Sequence, residues 1–264
     1  MTIHSESTAR DPVAWVTGGS RGIGLACARH LAGLGYCVLV SARHMEPLQA
    51  ACDQAQAEGL NLQPLPLDIS DLNSIERAFA EHECLKDLDV LVHAAGTGAF
   101  SSITHGDDPC IWQRVMRTNL DGAYYCARSA LLAMTAHEVD RPRRLVFISS
   151  VLGLKGMGNS HAYCASKHGV NGLVRALAQD TAARQITVNS ICPGWVDTQM
   201  AHQDFQTMAD HYQIPVDMLI SDEIQAVPIQ RWIQSDEVAA LVGYVCSEAA
   251  GALTGQCLEL SGGL

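Results

Sequence analysis

A chain of 264 residues, 48% of them hydrophobic, is long enough to bury a substantial core without disulfide or metal staples, and its composition excludes a disordered polypeptide. No apolar run approaches the roughly 20 residues that cross a bilayer, and a formal net charge of -11 opposes sequence-independent binding to DNA or RNA, which needs a basic face. Neither a membrane nor nucleic acid is expected as a partner.

The start, "MTIHSESTARD", lacks a basic region followed by an apolar core. It reads as a flexible tail over residues 1–11 and not as a secretory signal, which places the protein in the cytoplasm. Short apolar runs then alternate with longer helical patterns: "VAWVTG" (13–18), "CVLVSA" (37–42), "NLQPLPLD" (61–68), "DVLVHAAG" (89–96), "RLVFISS" (144–150), "ITVNSICPG" (186–194) and "GQCLELSGG" (255–263). Stretches between them, such as "GIGLACARHLAGLG", carry helical periodicity. Each parallel connection needs a crossover. The pattern therefore predicts an α/β fold in a single domain, residues 1–264: a Rossmann-type doubly wound parallel sheet of about seven strands with helices on both faces.

The first strand runs into "TGGSRGIG" (17–24). Gly18, Gly22 and Gly24 permit a sharp turn that brings backbone N–H groups near an anion, with Ser20, Arg21 and Ile23 between them and a helix N-terminus behind. A pyrophosphate fits that setting, although the spacing is a G-x-x-x-G-x-G variant. The same letters spell G-x-S-x-G around Ser20, the nucleophile elbow of serine hydrolases. An elbow normally follows several strands and an oxyanion-hole loop, whereas only 17 residues precede Gly18, so the phosphate reading is preferred.

The second strand ends in "VSARH", with Ser41 and Arg43 and no carboxylate. An acid there holds a ribose 2′-hydroxyl, whereas an arginine accommodates a 2′-phosphate. Arg43 and Arg21 together could bracket that phosphate, which favours NADP(H) as cofactor. Ten cysteines show no C-x-x-C, and Cys27, Cys37, Cys126, Cys192 and Cys257 fall at core positions, so they read as reduced buried thiols. Eleven histidines include no H-E-x-x-H and no cluster of ligand spacing, so no metal is expected.

"SHAYCASKHGVNGLVRALAQD" (160–180) reads as a helix whose stripe is Tyr163, Val170, Leu173, Val174 and Leu177. It stacks Tyr163 and Lys167 one turn apart on one face, while Cys164 points about 100° away and reads as packing. Residues 197–228 contain no strand, and about 30 residues exceed an ordinary connection of roughly 2 to 6. With Met200, Phe205, Met208, Tyr212 and Met218 this segment is expected to be a pair of short helices forming a lid over a substrate pocket.

A glycine loop, "AAG" after the fourth strand, "NLDG", "ISS" and Y-x-x-x-K in this order make the chain resemble the short-chain dehydrogenase/reductase family over essentially its whole length. The resemblance implies a cofactor site of Gly18, Gly22 and Gly24, Asp68 with Ile69 near the adenine, and Ala94, Ala95 and Gly96. It places Pro193, Gly194, Val196 and Thr198 of "PGWVDT" beside the nicotinamide, and it implies a catalytic set of Asn119, Ser150, Tyr163 and Lys167. Ser150 is chosen over Ser149 by its spacing of 13 residues to the tyrosine. His93 and Ala94 depart from the family's usual asparagine pair, either as a tolerated variation or as a weakened joint between the fourth strand and the cofactor loop.

In wording the chain most resembles 3-oxoacyl thioester and polyketide ketoreductases, which implies NADPH-dependent reduction of a ketone. Tyr163 would donate the proton. Lys167 would favour the phenolate and hold the ribose, Ser150 would bond the substrate oxygen, and Asn119 would anchor a water. The alternatives are a secondary-alcohol dehydrogenase and a non-catalytic NADP(H)-binding sensor; the usual sign of the latter, loss of the tyrosine, lysine or serine, is missing. Leu152 in the loop at 151–161, Trp195 and Met200 are expected against the substrate. Arg141 and Arg184 occupy places where carrier-protein reductases carry docking arginines. The resemblance also implies a homotetramer, with helices near 109–135 and 160–182 at an interface.

Overall fold

In the computed structural model, residues 10–98, 100–106, 108–136 and 141–264 are described; most of the expected N-terminal tail lies outside them. The seven expected strands form one parallel sheet: β1 (Val13–Thr17), β2 (Cys37–Ala42), β3 (Leu62–Pro66), β4 (Leu88–His93), β5 (Arg143–Ile148), β6 (Ile186–Pro193) and β7 (Cys257–Leu260), in the order 3-2-1-4-5-6-7. The chain first winds from β1 towards β3 and then crosses back to lay β4 on the other side of β1. A crevice opens at such a switch point, beyond the carboxyl ends of β1 and β4.

Side chains alternate faces along each strand. Ala14 and Val16 of β1, with Val90 and Val92 of β4, pack against α1 (Gly22–Gly33), α2 (Met45–Ala57) and α9 (Ser235–Cys246). Trp15, Leu91 and Phe147 point the other way, onto α3 (Leu72–Glu81), α5 (Gly122–Ala136) and α6 (His161–Thr181). Every residue of β1, β4, β5 and β6 is buried, which is why those strands read as nearly unbroken apolar runs.

Two local features position the site. Helix α4 (Pro109–Met116) continues into α5 through a π turn at Arg117–Asp121, a distortion that re-aims one side chain, here the buried Asn119. The strandless segment is two helices, α7 (Gln199–Tyr212) and α8 (Val216–Ala226), as expected. Phe205, Met208 and Leu219 give this pair its own small core, packed against Phe100, Trp195 and Trp232. Tyr212 and Met218 are exposed.

The thiols differ in part from expectation. Cys27, Cys126 and Cys192 are buried and free, but Cys37 and Cys257, at strand ends, are only half-buried, and Cys110 is exposed. Among the described residues no helix is long and apolar enough to cross a membrane.

Candidate active site

A cavity of about 850 Å³ runs along the carboxyl ends of the strands, from Arg43 at one end to Glu223 of α8 at the other. The glycine turn forms one wall. A Cβ on Gly24 would lie 2.3 Å from the Gly18 carbonyl oxygen, and Gly18, at φ 70°, lets the loop pass against Ala95. No side chain fits at either place. Ser20, Arg21, Gly22 and Ile23 complete this wall, and α1 starts at Gly22 with no acidic residue in its first turn, so its unpaired N–H groups and positive dipole end favour an anion. No hydrogen bond links Ser20 to a histidine among the described residues, which removes the support for the elbow reading.

At the end of β2, Arg43 is exposed over the cavity beside Asp68 and Ile69. Asp68 Oδ1 accepts from the Ser70 N–H (2.9 Å) and hydroxyl (2.8 Å), closing a local turn. Ser41 borders the cavity, but its hydroxyl accepts from the Trp15 indole at 3.0 Å in the core, and its carbonyl holds the Gly19 N–H at 3.1 Å. Ser41 thus supports the loop and does not turn its hydroxyl to the cavity. Arg21 Nη1 donates to Gln199 Oε1 at 2.6 Å, tying the glycine loop to the first residue of α7. Thr198 caps that helix by accepting from the Ala201 N–H at 3.2 Å.

The floor is built by α6, whose first turns stack Tyr163 and Lys167 as the spacing requires. Lys167 is buried; its Nζ donates to the Ile148 carbonyl at 2.8 Å and lies 5.5 Å from the centroid of the Tyr163 ring. Burial pulls this ammonium down to about 8, whereas burial pushes the Tyr163 phenol above its ordinary range. The Ser150 side chain works against that rise, and the Asp204 carboxylate adds to it. Desolvation is the largest influence on the phenol. The Ser150 side chain is the one that acts on the phenol, while the Ser149 hydroxyl donates to the Lys167 carbonyl at 3.3 Å.

Asn119 stands behind this floor. Its Oδ1 accepts from the Thr97 N–H (2.8 Å), and its Nδ2 donates to the Thr97 carbonyl (3.0 Å) and the Ser166 hydroxyl (3.1 Å). Both ends of the amide are engaged, so it clamps the segment that follows Ala94, Ala95 and Gly96. On the other side of that segment, Thr17 Oγ1 accepts from the N–H groups of Ala94 (3.2 Å) and Ala95 (3.1 Å). These occupy both lone pairs, so the Thr17 proton goes to His93 Nδ1, 3.2 Å away. That fixes His93 as the neutral Nε2–H tautomer. Its Nε2 is buried with no partner among the described residues, and burial, aided by the nearby Lys167 charge, lowers its pKa to about 3. The joint between β4 and the loop runs through Thr17, and His93 holds it in place of the expected asparagine.

The sequence profile of the short chain dehydrogenase family matches residues 12–209. The chain belongs to that family. A short-chain dehydrogenase is an oxidoreductase acting on C=O or CH–OH groups, and a nicotinamide cofactor goes with it. A protein of Streptomyces violaceoruber, named as a ketoacyl reductase of the granaticin polyketide synthase, is 36% identical over 260 residues, covering 97% of this chain and 94% of that protein. The 3-oxoacyl acyl-carrier-protein reductase of Pseudomonas aeruginosa is 32% identical, covering 96% of both. Among solved structures, a variant of actinorhodin polyketide ketoreductase with NADPH superposes with a TM-score of 0.90 at 34% identity, over 96% of this chain and 97% of that one.

In this short-chain dehydrogenase the cavity is lined by the expected Pro193, Gly194, Val196 and Thr198 and by Leu152, Trp195 and Met200. Sequence reasoning missed Thr17, whose place before Gly18 was the available signal, and Asp204, which falls at inward helical spacing from Met200 and Met208. Arg141 and Arg184 lie elsewhere. They precede β5 and β6, at the amino ends of the strands and so across the sheet from the cavity, and Arg141 bonds Asp89 (3.5 Å) and the Arg10 carbonyl (3.4 Å). Neither borders the cavity.

Proposed function

We propose that this enzyme reduces a ketone of a 3-oxoacyl thioester or polyketide-like substrate with NADPH, the chain acting as one domain with residues 197–228 as its lid. The observation that carries the reading is the convergence of the Tyr163 phenol, the Ser150 hydroxyl and the Lys167 ammonium on the floor of a cavity whose far wall is a glycine turn at a helix N-terminus. The lining fits a phosphorylated dinucleotide: Arg21 and Arg43 are present, and no carboxylate ends β2. When bound, that coenzyme supplies a hydride from C4 of its reduced ring.

The residues supply the rest. Negative charge develops on the ketone oxygen, where Ser150 donates a hydrogen bond and Tyr163 delivers a proton. A phenol held above its ordinary range is protonated at neutral pH, so it carries the proton that the developing alkoxide needs. Lys167 spends one of three N–H donors on Ile148, leaving two for ribose hydroxyls and a positive charge beside the phenol. Asn119 acts by fixing the cofactor loop. Exposed Trp112, Tyr124 and Leu132 on α4 and α5 support assembly into a homotetramer through that face.

A panel of cyclic and 3-oxoacyl thioester ketones with NADPH, followed at the absorbance of the reduced coenzyme, tests the reading. Turnover of at least one class is expected. Coenzyme binding with no turnover of any ketone would instead establish a binding protein.

A further inference from the structure

Asp204 is the one carboxylate on the inward stripe of α7, one turn from both Met200 and Met208, and all three line the cavity. Its oxygens press against the loop after β4. A Cβ on Gly98 would sit 2.4 Å from Oδ2 and 2.6 Å from Oδ1, so the carboxylate has its place only because residue 98 has no side chain. No hydrogen bond or ion pair is made by this carboxylate among the described residues, although it is only half-exposed.

An unpaired carboxylate withdrawn from water is costly, and a donor that satisfies it recovers that cost. Burial has already pushed Asp204 up to about 6, and its charge is felt at the Tyr163 phenol. Glu223 on α8 borders the same cavity, so this side disfavours an anionic substrate group. Phe100, Met157 and Trp195 also line the cavity, with flat and apolar surfaces that suit a ring and not a hydrated ammonium.

We propose that Asp204 is a specificity residue that accepts a hydrogen bond from a hydroxyl group carried by the ketone substrate at a position remote from the reduced carbonyl. This rests on the reading of the cavity as a ketone site. It narrows the substrate class to hydroxylated cyclic ketones.

The test uses 1-tetralone, 6-hydroxy-1-tetralone and 6-methoxy-1-tetralone, which differ in the donor and in size. With NADPH, the hydroxylated ketone should exceed the parent in kcat/KM by about tenfold, chiefly through KM, and the methoxy compound should not. The ratio should collapse towards one in Asp204→Leu, while Asp204→Asn, which keeps an acceptor, should retain part of it. Calorimetric titration of the three ketones into the NADP-loaded protein gives the same comparison without turnover. Should no ketone be reduced, the proposed function fails, and the titration still decides this inference. Equal affinity for the three ketones, a methoxy compound as good as the hydroxyl, or a preference that survives Asp204→Leu would overturn it.

Discussion

The Thr17 hydroxyl donates to His93 Nδ1 across 3.2 Å, between residues that face each other in the register of β1 and β4. Burial, with the Lys167 charge nearby, keeps this imidazole neutral in the folded protein, with a pKa of about 3 against an ordinary 6.5. The unfolded chain takes up a proton as pH falls through 6.5, and the folded chain does so only near 3. Stability should therefore decline with acidification between those values, by a few kcal/mol over the window. Urea midpoints measured from pH 7 to pH 4 should fall steeply in the wild type and less in His93→Asn, which cannot titrate. Parallel slopes would show that His93 is not the linked group.

Replacing Tyr163 by Phe removes the proton donor and leaves the ring in place. Reductive kcat should fall by about 10²-fold or more, while the dissociation constant for NADPH, read by fluorescence, stays within a few-fold. A variant retaining a tenth of the activity would remove Tyr163 from the proton-transfer role.

Lys167 is an ammonium only below about 8, because its burial favours the neutral amine. The reductive kcat/KM should accordingly fall as pH rises through that value. Lys167→Arg, which stays charged, should lose activity through misplaced donors but show no such alkaline limb. A wild-type profile flat to pH 10 would contradict the assignment.

The strands were legible because burial on both faces writes itself as short apolar runs, and Tyr163 and Lys167 because helical spacing alone sets their stacking. Helices α7 and α8 followed from the lack of any strand between Asp197 and Pro228. What escaped the sequence depends on contacts between distant segments. The clamp of Asn119 on Thr97 arises from a π turn that leaves no compositional mark, and the tautomer of His93 needs Thr17 and two amides from the next loop. Arg141 and Arg184 are a different case. An arginine just before a parallel strand lies at its amino end, away from the crevice, so their position could have been read from the order of elements.

Coenzyme choice is the remaining consequence of the cavity wall. Arg21 has part of its guanidinium committed to Gln199, whereas Arg43 makes no hydrogen bond among the described residues and stands exposed where β2 ends. Arg43 is thus the cation free to meet a 2′-phosphate, in charge-assisted and often bidentate bonds. Arg43→Ser should raise KM for NADPH by about 10- to 100-fold and leave KM for NADH nearly unchanged, since only the phosphorylated coenzyme uses that contact. Arg21→Ser should weaken both coenzymes, because it also unties the glycine loop from α7. Steady-state kinetics with each coenzyme at fixed ketone separate the two effects, and an equal loss for NADPH and NADH in Arg43→Ser would mean that the phosphate is held elsewhere.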